Sequence, residues 1–193
     1  MLIGLISDTH DKLDGIDKAF HVFTSRQVSM ILHAGDWTMP STVQYISKLA
    51  KQANIPIKGV LGNNDKELEA TLKTPNLYEG IEISTDKIFV FDINKKTIAI
   101  YHGEDERIIN NIIQEQIYDV LITGHTHKVR RERIDSTFLV NPGSTAFSKP
   151  LSGNNALTVA LFTLETFDTE IVYLPPDSPP PQTPHVPPTN VQQ

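Results

Sequence analysis

The 193-residue chain contains no cysteine. Disulfides, thiolate-bound structural zinc and iron–sulfur clusters are therefore excluded. No apolar run approaches the ~18–20 residues of a membrane span. The opening stretch MLIGLISDTHD lacks the basic lead and the apolar length of a secretory signal. These absences set the expectation of a cytoplasmic protein with no membrane partner. Cationic excess is missing as well: 17 Lys and Arg face 23 Asp and Glu, a net charge of −6. Phosphate backbones are gripped mostly by Lys and Arg, so a general nucleic-acid binder is disfavoured. Nucleic acid remains only as a substrate that a local cationic site could take.

What is present reads as one α/β domain. The apolar fraction of 39% and charged fraction of 21% are ordinary for a globular chain. A chain of this length buries roughly 70% of its unfolded surface. Short apolar runs at 2–7, 29–34, 55–61, 87–93, 97–102 and 119–123 predict strands, several of them buried on both faces. Between them, Leu13, Ile16, Phe20 and Phe23 share one helical face. Val43, Ile46 and Leu49 do the same after the Pro40-Ser41 start signal, and Ile108, Ile109, Ile112 and Ile113 after Asp105. Asn94-Lys95 between two runs suggests a hairpin, so the sheets are not purely parallel. Residues 131–140, 156–164 and 167–174 alternate as antiparallel strands do. From 175 to 193 the composition changes, and eight of the 13 prolines fall there. Such a segment cannot pack a core, and we expect a flexible tail after a domain spanning 1–174.

Five short pieces place metal-capable side chains where an apolar run ends. They are SDTHD (Asp8, His10), AGDW (Asp36), LGNND (Asn63), YHGED (His102) and GHTH (His125, His127). The carboxyl ends of neighbouring parallel strands point to one edge, where ligands bind. If the first, second, third and sixth runs lie side by side, all of these loops converge. Seven candidate ligands exceed the need of one ion that keeps an open position, whereas two ions sharing a carboxylate use them all. His125 and His127, two apart on an extended segment, could each serve a different ion.

Imidazole, carboxylate and amide donors without thiolate suit Mn, Fe, Zn, Co or Ni, and disfavour the all-oxygen cages of Ca or Mg. Two carboxylates against two divalent ions leave about two positive charges, reduced to about one by a bridging hydroxide. Such a site suits a phosphate ester.

D-x-H, G-D, G-N-x-D, H-G and G-H-T-H, in this order, resemble the calcineurin-like metallophosphoesterase superfamily. The short chain and NPGS at 141–144 resemble its small prokaryotic phosphodiesterase branch. The resemblance covers residues 1 to about 174. It implies a four-layer αββα sandwich, two mixed β-sheets flanked by helices, with a dinuclear metal site at the sheet edge. It further implies that Asp8, His10 and His127 bind the first ion, that Asn63, His102 and His125 bind the second, and that Asp36 bridges. Asp36, Asn63 and His102 are then the expected catalytic residues, two divalent ions with manganese favoured the cofactors, and a small phosphodiester the substrate. The chain could also form a homo-oligomer. One position departs: many family members carry a histidine where this chain has Asn64. Losing a general acid costs about 10²–10⁴-fold, so esters with good leaving groups are expected, with Asn64 as a substrate contact. The alternatives are a phosphomonoesterase or phosphoprotein phosphatase, a nuclease, and a non-catalytic metal-binding scaffold of the same fold.

Other polar residues read as support. Asp11 and Asp65 suit capping or outer-layer roles, and His33 suits a hydrogen-bonded core position. His21 belongs on a surface and His185 in the tail. Trp37 reads as packing, NPGS as a turn near the site, and Lys128, Arg130 and Arg131 as a solvent-facing face.

Overall fold

The computed structural model describes residues 1–74, 77–146 and 156–175. The chain starts with β1 (Leu2–Ile6), α1 (Leu13–Ser25), β2 (Met30–His33), α2 (Pro40–Ala53) and β3 (Ile57–Val60). It continues through α3 (Lys66–Thr71), β4 (Ile81–Ser84), β5 (Ile88–Ile93), β6 (Lys96–Tyr101) and α4 (Glu106–Glu115). It closes with β7 (Val120–Ile122), β8 (Arg130–Ile134), β9 (Thr137–Asn141), β10 (Thr158–Thr163) and β11 (Thr169–Tyr173).

Local chemistry sets several boundaries. Pro40 opens α2, where its missing N–H has no helical partner to lose, and Asn54 closes it in the left-handed conformation. Asp105 caps α4 by accepting the Arg107 N–H. Asn94 and Lys95 both have positive φ, the twist that joins β5 to β6 in a two-residue hairpin.

The strands form two mixed sheets, ordered β11-β10-β1-β2-β3-β4 and β5-β6-β7-β9-β8. In the first, β1 to β4 are parallel neighbours, while β10 runs antiparallel to β1 and β11. In the second, β6, β7 and β9 are parallel, flanked by antiparallel β5 and β8.

Alternation along each strand assigns its side chains to different layers. Ile3, Leu5, Leu32, Ile100, Ile122, Val140 and Phe162 fill the space between the sheets. Ile6, Ile31, Ile57 and Leu161 face the opposite way and meet Ile16, Phe23, Val43 and Ile46 of α1 and α2. Ala99, Tyr101 and Leu121 pack against Ile109, Ile112 and Ile113 of α4. The result is the expected αββα order of layers.

Three expectations change in detail. The sixth apolar run, β7, does not lie beside the first three but in the second sheet. Its loop still reaches theirs because the sheets are stacked and share an edge. Residues 131–140 are not one strand: Asp135 adopts positive φ and splits the segment into the β8–β9 hairpin. The elements α3 and β4, of six and four residues, are too short to announce themselves by periodicity. Of the proline-rich segment, 176–193 lies outside the described residues, His185 included. No described helix is long and apolar enough to cross a membrane.

Phe162 is fully buried between the sheets and lies near Phe138 and Phe167. Phe162→Ala should lower unfolding free energy by about 3–5 kcal/mol, measured by equilibrium urea denaturation. A loss below about 1 kcal/mol would be incompatible with a tightly packed layer there.

Candidate dinuclear metal centre

The site stands on the strand ends. Asp8 and His10 follow β1, Asp36 follows β2 and Asn63 follows β3, while His102 follows β6 and His125 and His127 follow β7. Two sheets therefore contribute to one edge, and the structure brings all seven residues into one continuous set of contacts. Asp8, His10 and His127 offer ligand atoms within 4.8 Å of one another, as do Asp8, Asp36 and His102. His10 and His127 pair with ring centroids 5.2 Å apart, and His102 and His125 at 5.3 Å. Asn63 Oδ1 sits 2.9 Å from His125 Nδ1. Between the two histidine pairs lies Asp36 Oδ2, 3.5 Å from His10 Nε2 and 3.4 Å from His102 Nε2. Asp8 also reaches both carboxylate groupings, with Oδ1 3.2 Å from His127 Nε2.

The local backbone is unusual. Asp8, His10, Asp36, His125 and His127 all have positive φ, between 40° and 64°. For non-glycine residues this region is sparsely populated, and clusters of it mark functional loops. His125 and His127 therefore do not point the same way along an extended segment. The bend with the Thr126 N–H donating to the Gly124 carbonyl turns them toward different partners, Asn63 and Asp8. Gly35 has φ of +94°, and a Cβ there would stand 2.7 Å from His102 Nδ1. A Cβ on Gly124 would stand 1.9 Å from Ser7 Oγ and 2.9 Å from Asp8 Oδ2. Side chains at either place would push candidate ligands out of position.

Buried hydrogen bonds aim the ligands. His102 Nδ1 meets the Ala34 carbonyl at 2.6 Å, so Nδ1 carries a proton and Nε2 faces the site. That Nε2 is buried without a hydrogen-bond partner. An orphaned imidazole nitrogen facing a carboxylate is what a divalent cation would satisfy, and the N/O donor set fits such an ion. Burial disfavours the charged forms of both His102 and Asp36. The contact between them, with Asn64 hydrogen bonds to Asp36, overcomes it and holds the Asp36 carboxyl below the usual range. The same contact pushes His102 up to about 9. The pocket thus favours positive charge beside Asp36. His10 goes the other way, lowered mainly by burial.

Asp65 braces the bend that carries Asp36. It accepts the N–H groups of Asp36 at 2.9 Å, Thr38 at 2.6 Å and Gly62 at 2.7 Å. Burial pushes its carboxyl up to about 6 against those donors. Asp11 ties the neighbouring turn, accepting from the Met39 N–H and the Thr42 hydroxyl. His33 is buried, stacks on Trp37 at 3.5 Å and accepts the Gly35 N–H on Nδ1. Its Nε2 then faces Thr9 Oγ1 at 3.4 Å, and burial keeps it neutral. Trp37 is fully buried and donates to the Val60 carbonyl.

NPGS is more than a turn. Asn141 donates to the Gly124 carbonyl and Ser144 to the Asp8 carbonyl, tying it to two ligand loops. Arg130 pairs with Glu106 and Glu132, Arg131 donates to the Thr169 carbonyl, and Lys128 and His21 are exposed. Asn64 turns its side chain to Asp36, with Nδ2 2.7 Å from Oδ2. Sequence reasoning missed Ser7, which donates to Asp8 Oδ2 at 2.6 Å, along with Thr9 and the Ala34 carbonyl. No spacing signal marks them, since small residues beside a ligand are common at any loop.

Imidazoles and carboxylates gathered at the shared edge of two stacked mixed sheets define a class, the α/β sandwiches that collect metal-capable side chains at the ends of their strands. Comparison with known proteins narrows this. The pattern of the calcineurin-like phosphoesterase superfamily domain matches residues 1–166. The chain belongs to that superfamily. It is 34% identical over 146 residues to the phosphodiesterase MJ0936 of Methanocaldococcus jannaschii, covering 74% of this chain and 83% of that one. A probable metallophosphoesterase of Methanothermobacter thermautotrophicus is 34% identical over 180 residues, covering 89% and 92%. Among solved structures, that of a novel archaeal phosphodiesterase superposes with a TM-score of 0.74 at 29% identity, over 90% of this chain and 100% of that one. Vps29 of Chaetomium thermophilum, 18% identical with a TM-score of 0.62 over 95% and 100%, shares the fold.

Asp65→Asn should lower stability by about 1–3 kcal/mol, because an amide keeps one acceptor oxygen and turns N–H donors on a backbone N–H. Urea denaturation of both proteins checks this; equal midpoints would show that the three contacts do not restrain the bend.

Proposed function

We propose that the protein is a phosphodiesterase that works with two divalent metal ions. The observation that carries this reading is Asp36 Oδ2 lying within 3.5 Å of an imidazole nitrogen from each of the two histidine pairs. Asp8, His10 and His127 would hold one ion, Asn63, His102 and His125 the other, and Asp36 both. The imidazole, carboxylate and amide donors suit Mn, Fe, Zn, Co or Ni, and manganese is the ion we favour. Residues 1–174 form the catalytic domain in this reading, with 175–193 a tail outside it.

The ions, when bound, supply Lewis acidity at phosphorus and a nucleophile at neutral pH. The chain's own contribution is positioning. Asp8, tethered through the His125 N–H and the Ser7 hydroxyl, holds the GHTH loop against β1. The Ala34 carbonyl fixes the His102 ring, and Asp65 fixes the Asp36 bend. With Asn64 in place of histidine, no imidazole stands at that position to protonate a departing alkoxide. The reaction then relies on substrates whose leaving oxygen departs with little help.

The names of the relatives support a diester over a monoester substrate. Bis(p-nitrophenyl) phosphate and p-nitrophenyl phosphate, compared with Mn²⁺, separate the two. We expect kcat/KM for the diester to be higher by at least about tenfold, a difference of about 1.4 kcal/mol in transition-state stabilisation. The reverse preference would make the protein a monoesterase.

Asp36→Ala should abolish diester turnover and reduce bound metal from two ions per chain to one or none, read by elemental analysis. Retention of two ions would remove Asp36 from the bridging role.

A further inference from the structure

Asn64 makes two bonds to the same carboxylate. Its backbone N–H donates to Asp36 Oδ1 at 2.9 Å, and its side-chain Nδ2 donates to Asp36 Oδ2 at 2.7 Å. The two oxygens are not equivalent. Oδ1 packs against Gly62 so closely that a Cβ there would come within 2.3 Å of it. Oδ2 is the oxygen that both His10 and His102 approach. A carboxylate oxygen offers two lone pairs. Two cations seated on Oδ2 would use both, and the amide would make a third claim on it. One ion leaves room for the amide, but two do not.

The amide has somewhere to go. Asn64 lines a cavity of about 250 Å³ together with Thr38, Met39, Asn63, Lys66 and Glu67. That is below the ~300–1,000 Å³ of pockets that enclose a whole drug-sized ligand, so it suits one half of an ester. Thr38 in its wall has φ of 80°, an outlying conformation for a β-branched residue. The Asp65 carboxylate holds it there through the Thr38 N–H. The Thr38 hydroxyl is buried without a hydrogen-bond partner. Strained backbone of this kind clusters at ligand-binding loops, and here it borders the cavity that Asn64 lines.

We propose that the Asn64 side chain exchanges partners, leaving Asp36 Oδ2 when the second metal ion takes its last lone pair and turning to an ester oxygen in the adjoining cavity. Contact with substrate then depends on both metal positions being filled, and the backbone bond to Oδ1 keeps the carboxylate oriented throughout. This rests on the two-metal phosphoesterase reading and adds a coupling between metal loading and substrate binding.

The test uses the full-length protein titrated with Zn²⁺, a diamagnetic ion. The ¹⁵N–¹H signal of the Asn64 side-chain amide, identified by its loss in Asn64→Ala, should shift slightly but stay hydrogen-bonded through the first equivalent, as the ion polarises its acceptor, and move to a non-hydrogen-bonded position with the second. Inorganic phosphate should then shift it further, and only in the doubly loaded protein. In calorimetry, Asn64→Ala should bind the second ion about threefold to tenfold more tightly, because a competing hydrogen bond worth about 0.5–1.5 kcal/mol is gone. Weaker binding of the second ion in Asn64→Ala would make the amide a fixed brace and overturn the exchange, as would an amide signal unmoved with two ions bound. In either case two bound ions would leave the phosphoesterase reading standing. Fewer than two ions on the wild-type protein would overturn the exchange and the two-metal reading together.

Discussion

One carboxylate, that of Asp36, joins the two halves of the site. It comes from the first sheet and meets His10 of that sheet and His102 of the second at nearly equal distances. Burial alone would disfavour a charge there. Hydrogen bonds from the Asn64 main chain and side chain, with the imidazole of His102, reverse the balance. Loops from β1, β3, β6 and β7 are arranged around that anion. Negative charge held in a buried cleft is what recruits cations and, through them, phosphate.

The convergence has a conformational cost. Five candidate ligands occupy left-handed backbone conformations, each unfavourable by about 1–2 kcal/mol for an ordinary residue. Short polar side chains reduce that figure, and the surrounding hydrogen bonds offset the rest. Asp65 accepts three backbone N–H groups, His33 braces Gly35, and Ser144 and Asn141 hold the β1 and β7 loops. These supports sit on rigid strand ends between packed layers, which keeps the ligand atoms near one another without any covalent link.

Asn64 shows how a single exchange of residue type changes a site's logic. An amide is both donor and acceptor and carries no proton to give at neutral pH. It can hold a carboxylate or an ester oxygen, but it cannot act as a general acid. The pairing with Asp36 and the cavity beside it are what the proposed exchange between metal binding and substrate binding rests on.

Periodicity and strand-end chemistry were enough to read an α/β layout and the seven ligand candidates from the chain alone, while the two-sheet sandwich came from the resemblance. Those signals are local: alternation comes from the geometry of one strand, and D-x-H or G-H-T-H is written within a few residues. The Asn94-Lys95 hairpin was legible for the same reason. Tertiary structure decided what locality cannot carry. The β7 run joined the second sheet rather than lying beside β1 to β3, and the 131–140 segment folded back at Asp135. NPGS became a brace, and Asp65 became an acceptor for three N–H groups from two loops. The partners of Thr9 and Asn64 lie on other loops. Which atom meets which across stacked sheets follows from packing between distant segments, and no pattern within a segment encodes it.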